Sequence, residues 1–379
     1  MAKKVSEEIS GRDELASLLA DSLNKKFKDF KAVHFLDGRE ETPTDLTEWV
    51  STGSTLLDLA VSNRPNGGLP VGRIVELQGM EASGKSLIMA HVLADTQKKG
   101  GLAVYIDTEN ALSEEFLRAI GVNVSDMLYL PLETIEDIFE AVENIIETVR
   151  KSSKNRLVTI VIDSVSAATT KVEQDADYEK DGWATSKAII MSKAMRKITN
   201  IIGKQRVLLL VASQLREKMG VMFGEKLTTS GGKALGFHAS CRIRLKGVGK
   251  LKSGSGATEQ IVGVQTEATI VKNRMGPPFK KATFDIYFNS GIDDLNSWLK
   301  LLKDYGLVKQ GGAYYTIVNK STAEEVRFMA KDWKTMLTED PALKQQCYEE
   351  ICNTIIMKYR DQEAIDPDQI SVDDEELSE

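Results

Sequence analysis

Eight consecutive residues, Gly79-Met80-Glu81-Ala82-Ser83-Gly84-Lys85-Ser86, stand between an apolar run, Arg73 to Gln78, and a helical run, Leu87 to Thr96. Their types and order suit phosphate. Gly79 and Gly84 let the backbone approach a ligand closely, and successive backbone N–H groups can wrap an anion. Lys85 can reach terminal phosphates, and the Ser86 hydroxyl is a ligand for Mg²⁺. This complete Walker A pattern predicts a nucleotide site with Mg²⁺. A second acid-bearing element follows at the right distance: Leu157 to Asp163 is a nearly unbroken apolar run ending in a carboxylate, as expected for a strand buried on both faces. Asp163 is the natural Walker B acid, which would hold the Mg²⁺ through water or from the Ser86 side. Hydrolysis itself needs a further group.

The elements that must position these residues alternate. Strands are predicted at 73 to 78, 102 to 106, 127 to 130 and 157 to 162, with helices at 85 to 98, 113 to 120 and 134 to 150 between them, a parallel α/β pattern. A long helix, Ala184 to Ile202, leads to strand Arg206 to Ser213, which ends at Gln214. A glycine-bearing stretch without clear period, Arg216 to Gly236, comes next, and a loop of that length inside a compact domain is usually functional or disordered. Strands at 241 to 246, 265 to 272 and 282 to 288 return to sheet, in part antiparallel. From Asp294 the pattern changes to helices at 294 to 305, 322 to 337 and 341 to 359, with a strand near 313 to 318. At the other end, Leu15, Leu18, Leu19, Leu23 and Phe27 give residues 13 to 30 amphipathic helical spacing, followed by a short strand, Ala32 to Leu36. Such an arm has too little material for its own core and must pack on something, its own core or a neighbouring subunit.

Composition bounds the partners. The chain of 379 residues, 42% of them hydrophobic, can build one large domain with smaller attachments. The amino terminus lacks an apolar central region, and the longest apolar run, Val207 to Ala212, is too short to span a bilayer, so no membrane role is expected. Cys241, Cys347 and Cys352 have no metal or redox spacing and read as free packing residues in a reducing compartment. The net charge of −7 argues against a polyanionic partner until its distribution is considered. Nine of the 56 acidic residues lie between Asp361 and Glu379, leaving a body with 49 basic against 47 acidic residues. Contacts to nucleic acid would have to be local, beside a solvated, disordered acidic tail.

Several motifs taken together resemble the RecA recombinase family, including its phage UvsX-type members. They are Ser51-Thr52-Gly53-Ser54, Gly67-Gly68-Leu69-Pro70, Tyr105 to Leu112, Val161-Ile162-Asp163-Ser164-Val165, Met195-Arg196-Lys197, Gly220 to Gly224, Thr229-Ser230-Gly231-Gly232 and Val271-Lys272-Asn273-Arg274, alongside the loop from Gly79 to Ser86. Order and spacing hold over roughly residues 45 to 290; the ends match in style more than in residue. The resemblance implies an α/β fold: a P-loop (RecA-like) ATPase core at 45–293 on a twisted, mostly parallel sheet. It adds an N-terminal helix–strand polymerisation arm at 1–44, a small α+β C-terminal domain at 294–360 and the acidic tail at 361–379. DNA-binding loops are expected near 173–183 and 216–236.

Roles carried over by the resemblance fall on particular residues. Glu109 would orient or deprotonate the water that attacks the γ-phosphate of ATP. Phe116 matches an aromatic position against adenine. Gln214 would hydrogen-bond the phosphate and report its presence to the following loop. Lys272 and Arg274 would complete the ATP site of a neighbouring subunit, as arginine fingers do. Single-stranded DNA would be held by Ser192, Arg196, Arg216, Lys226, Lys233 and the backbone at Gly231 and Gly232, with Lys218 nearby. The loop from Glu173 to Trp183 departs from this pattern: it is too acidic to grip phosphate, so a role there would rest on Tyr178 or Trp183. Phe237 is a plausible ring for docking into the next subunit.

The function expected is an ATP-dependent, DNA-stimulated ATPase that forms helical homo-oligomers on single-stranded DNA and pairs it with homologous double-stranded DNA. Its site would be cytoplasmic, in a bacterium or a phage-infected cell, where single-strand-binding and mediator proteins are further possible partners. Two other classes share the core: a hexameric helicase, and a nucleotide-gated assembly protein without DNA affinity.

Overall fold

The structure is a computed structural model and describes residues 13–27, 31–40, 42, 45–175, 183–217, 227–229 and 233–358. Its main sheet contains β1 (Ile74–Gly79), β2 (Leu102–Asp107), β3 (Met127–Pro131), β4 (Val158–Asp163), β5 (Val207–Glu217), β6 (Cys241–Ser253), β7 (Gln260–Asn273), β8 (Lys281–Tyr287) and β9 (Gly291–Ile292). Their order across the sheet is β3-β2-β4-β5-β1-β6-β7-β8-β9. From β3 to β6 all neighbours are parallel; β7, β8 and β9 add on antiparallel.

Alternation along the strands divides the apolar core into two layers, because successive side chains of a strand leave on opposite faces. Val75, Leu77, Ala103, Tyr105, Val161, Leu208, Leu210 and Ala212 pack in one cluster. Ile74, Val104, Ile106, Ile160, Ile162, Val207, Leu209 and Val211 pack in the other. The first layer holds α3 (Lys85–Lys98), buried on nearly all sides through Leu87, Ile88, Met89, Ala90, Val92, Leu93 and Ala94. The second takes α5 (Ile135–Ser152), an amphipathic helix that buries Ile135, Ile138, Phe139, Val142 and Ile146. Thr134 caps it by accepting from the Asp137 N–H, with Glu136 and Asp137 in the first turn and Arg150 and Lys151 in the last, each sign matching the helix dipole. The long helix α6 (Trp183–Gln205) lies beside α5. The short helices α2 (Thr55–Ser62) and α4 (Glu114–Ile120) precede β1 and follow β2.

Beyond β9 the first cluster continues into the C-terminal region through Trp298, Leu302, Phe328, Trp333 and Cys347. Helix α7 (Ala234–His238) is short, and α8 (Asp294–Asp304) begins where Asp294 accepts from both the N–H and the hydroxyl of Thr55. A three-stranded antiparallel sheet, Lys309–Gly311, Tyr314–Asn319 and Glu324–Met329, replaces the first half of the helix expected at 322 to 337. Val326 lies opposite Ile317 and Phe328 opposite Tyr315, an alternation that lets both strands bury one face, so pairing wins over helix. Only Trp333–Glu339 of that stretch is α-helical. The three cysteines are buried and unlinked, as expected of packing residues. No helix among the described residues is long and apolar enough to cross a membrane.

The segment before residue 48 forms a compact unit of its own. Its helix α1 (Glu14–Lys26) is capped by Asp13, which accepts from the Ala16 N–H. Leu15, Leu18 and Leu19 are 65%, 68% and 53% exposed, so the apolar face read from the sequence points to solvent. The strand expected at 32 to 36 is not formed. Its backbone turns inward locally instead, with the N–H groups of Ala32 and Val33 both donating to Asn24 Oδ1. A strand requires a ladder, and a local amide cannot provide one. The expected acidic tail, 361–379, and the segment 176–182 with Tyr178 lie outside the described residues.

His91 on α3 joins this core to β9: its Nε2 accepts from the Ile292 N–H at 3.1 Å. Burial, with repulsion from Lys98, holds the ring at about 4, below the usual 6.5. The unfolded chain therefore binds a proton more readily than the folded one. The contribution of neutral His91 is fully present above pH 6.5 and is lost as the pH falls through 4, a difference of about 3 kcal/mol. His91→Gln, which keeps an acceptor for Ile292, should show a shallower drop in melting temperature between pH 6.5 and 4 than the parent chain. Parallel acid profiles for the two would contradict this.

Candidate active site

The parallel register brings four strand ends to one edge. Gly79 lies opposite Gln214, and Asp107 opposite Asp163. Asp163 continues the face of Val161, Asp107 that of Tyr105 and Gln214 that of Ala212, all on the α3 side of the sheet. The loop from β1 therefore opens among carboxylates and an amide drawn from three other strands.

The loop itself is built for close approach of its backbone to a ligand. Gly84 has φ +98°, and a Cβ there would lie 2.7 Å from Ile286 Cδ1; at Gly79 it would lie 2.2 Å from Ser83 Oγ. Within the loop, the Ser83 hydroxyl donates to Met80 O at 2.8 Å. Lys85 Nζ donates to the carbonyls of Gly79 and Met80 at 3.1 and 2.8 Å, so the ammonium is folded under the loop. Burial lowers its pKa, while Asp163, Glu109 and Glu81 act in the opposite direction. A cavity of about 260 Å³ opens above, lined by Glu81, Lys85, Ser86, Glu109, Phe116 and Asp163 among others. Met80 is partly exposed at the loop's tip.

Two hydroxyls converge on one carboxylate oxygen. Ser86 Oγ donates to Asp163 Oδ2 at 2.6 Å, and Tyr105 OH donates to the same oxygen at 2.9 Å. Burial raises the Tyr105 phenol further above its ordinary value, so it stays protonated and serves as a donor. Glu109 Oε1 accepts from Gln214 Nε2 at 3.2 Å and from the Ser164 hydroxyl at 3.3 Å. Asp107 positions Glu109: its Oδ1 accepts from the N–H groups of Glu109 and Asn110, and its Oδ2 from those of Ala111 and Leu112 and from Tyr129 OH. Asp107, Ser164 and Tyr105 were missed as functional residues by sequence reasoning. The signal available for Asp107 was an Asp ending a buried strand before a tight turn, a place where its side chain bonds the backbone that follows.

The donor set fits a nucleotide with Mg²⁺. An ammonium under the loop, an open backbone cradle, a Ser86–Asp163 pair suited to a hard cation and a flanking ring at Phe116 share one cavity.

The remaining candidates divide between two places. Ser192, Arg196 and Lys233 line a second cavity, about 300 Å³, with Phe237 and His238. Phe237 is 77% exposed. Thr199 Oγ1 and His238 Nδ1 are 2.9 Å apart, and burial, then Arg196, Lys272 and Arg274, lower the pKa of that imidazole. Lys272 Nζ donates to the carbonyls of Gly236 and Phe237 at 2.8 and 2.9 Å. Burial, then Arg274 and Arg242, lower the Lys272 pKa against the pull of Glu76, which pairs with Arg242 at 2.8 Å. Arg274 lies just past the end of β7, and the register of β7 against β6 shifts between Ile270 and Lys272. Neither cation lines the cavity beside the loop of their own chain. Arg216 sits in β5, which runs past Gln214 to Glu217 and pairs with Leu227–Thr229, so a strand rather than a loop carries it. Lys218, Lys226, Gly231 and Gly232 lie outside the described residues.

Comparison with known proteins agrees with this geometry. A family model described as the RecA N-terminal domain matches residues 17–293. A protein RecA of Heliobacterium modesticaldum is 37% identical over 304 residues, covering 80% of this chain and 84% of that protein. One from Chlorobium limicola is 34% identical over 332 residues, covering 88% and 89%. The chromosomal protein RecA of Lactococcus lactis subsp. lactis is 39% identical over 297 residues, covering 78% and 74%.

Proposed function

The chain belongs to the RecA family, and from that premise we propose that it is an ATP-dependent DNA recombinase that polymerises on single-stranded DNA and pairs it with homologous duplex. One observation carries the reading: Lys85, Ser86, Asp163, Glu109 and Gln214 converge on one cavity, and Gln214 shares its strand with Arg216 two residues further on. A nucleotide contact and a cation for DNA are thereby mechanically joined.

In this reading the loop N–H groups and Lys85 hold the phosphates of ATP. Ser86 and Asp163 would hold Mg²⁺, which when bound supplies positive charge beside the terminal phosphates. Glu109 orients the attacking water and accepts its proton, held in place by the Asp107 turn. Gln214, bonded to Glu109 here, exchanges that partner for phosphate and so transmits nucleotide state along β5. Phe116 stacks on the base. Lys272 and Arg274, absent from the lining of their own loop cavity, serve the site of the adjacent copy, where positive charge stabilises the charge developing on the leaving group.

The DNA backbone would cross Ser192, Arg196, Lys233 and Arg216, joined by Lys226, Gly231 and Gly232. Phosphate contacts suffice because base pairing chooses the partner strand. Exposed Leu15, Leu18 and Leu19 give the arm an apolar face for a second copy, and Phe237 offers another ring for it. A cytoplasmic location suits the buried free thiols. Single-strand-binding and mediator proteins complete the expected partners.

Electron microscopy with single-stranded DNA and a nonhydrolysable ATP analogue should show long helical filaments; closed six-membered rings, or no DNA-bound assembly, would refute the proposal. Glu109→Gln should keep ATP and DNA binding while losing most DNA-stimulated hydrolysis, at least about a hundredfold if it is the general base. Normal turnover in that variant would remove Glu109 from the mechanism. Lys272→Ala should also hydrolyse poorly, and mixing it with Glu109→Gln subunits should restore part of the rate, since some junctions then carry both intact groups. A mixture no faster than either variant alone would argue against a shared site.

A further inference from the structure

Asp163 Oδ2 accepts from two hydroxyls, and only one of them, that of Ser86, belongs to the phosphate loop. The other comes from Tyr105, which is 2% exposed on β2 and stands two residues before Asp107 on the same face. Its ring packs in the α3-side core, so the phenol has little freedom to leave. We propose that Tyr105 is a positioning residue for the metal-binding pair, clamping the Asp163 carboxylate so that Ser86 and Asp163 together hold a divalent cation.

The argument is one of lone pairs. A hydroxyl that ligates a metal through oxygen still needs an acceptor for its hydrogen, and Asp163 Oδ2 is that acceptor for Ser86. A carboxylate held by Ser86 alone can pivot about its terminal torsion, which is broad and shallow. The second donor, arriving from a different strand, removes that rotation. Tyr105 is an apt choice for the task because β2 is hydrogen-bonded to β4, with Tyr105 opposite Val161, which places the phenol level with the end of the neighbouring strand. Partners of this kind, which touch a ligand group rather than the metal, set affinity by fixing ligand orientation. Phenylalanine would fill the same space in the core and lose only the donor.

This inference rests on the reading of the cavity as a Mg²⁺-nucleotide site, and the test separates the two. Binding of a fluorescent ATP analogue is measured against free Mg²⁺ for the full chain and for Tyr105→Phe, with a parallel series in EDTA. The parent chain should bind more tightly with Mg²⁺; if it shows no Mg²⁺ dependence, the reading of the cavity itself fails. With that dependence present, Tyr105→Phe should need about tenfold more Mg²⁺ for half-maximal binding, with unchanged affinity in EDTA and cooperative unfolding retained. A Mg²⁺ midpoint within twofold of the parent would overturn the proposal. So would a loss of affinity equal in EDTA and in Mg²⁺, or a loss of folding, since either would make Tyr105 a packing residue. Conversion of the effect into a lower turnover rate alone, with the Mg²⁺ midpoint unmoved, would overturn it equally.

Discussion

Everything at the candidate active site depends on the parallel hydrogen-bond register among β1, β5, β4 and β2. In a parallel sheet all strands end on the same edge, so groups at their carboxyl ends meet there without any loop having to reach across. Gly79 opposite Gln214 and Asp107 opposite Asp163 are the ladder positions that accomplish this. A one-residue slip of any strand would turn its terminal polar group to the other face and bury it against α5 and α6. The two apolar clusters oppose such a slip, because they claim alternate residues of these four strands.

The polar network at that edge follows from the cost of leaving buried donors and acceptors unpaired. Asp107 takes up four backbone N–H groups of the turn that presents Glu109, so the placement of one carboxylate is secured by another. Lys85 folds back on two loop carbonyls, which satisfies a charged donor. Gln214 and Ser164 do the same for Glu109.

The cations form a second constraint. Arg196, Lys272 and Arg274 all act on His238, and Arg274 and Arg242 act on Lys272. Glu76 of β1, buried and paired with Arg242, offsets part of that charge, with Ser213 donating to its other oxygen. Like charges held together in this way leave a positive surface suited to anions.

Much of this was legible in the residues. The loop from Gly79 to Ser86, the strand ending at Asp163 and the alternation of strands and helices through residue 205 could be read directly, because apolar periodicity and loop chemistry are local properties. Other features were not. Glu324 to Met329 forms a strand because Tyr314 to Asn319 lies alongside it, and Ala32 to Leu36 forms none because the N–H groups of Ala32 and Val33 find Asn24 and that of Phe35 finds Glu40 instead. Pairing partners are set by contacts between distant segments, which local pattern does not encode. The same holds for the Tyr105 phenol on Asp163: the sequence by itself determined that a buried aromatic residue stands in β2. Only the lateral order of the strands decided that its hydroxyl would meet the carboxylate of β4. Composition and spacing specify which elements form, whereas adjacency in the sheet determines which side chains come within hydrogen-bond reach.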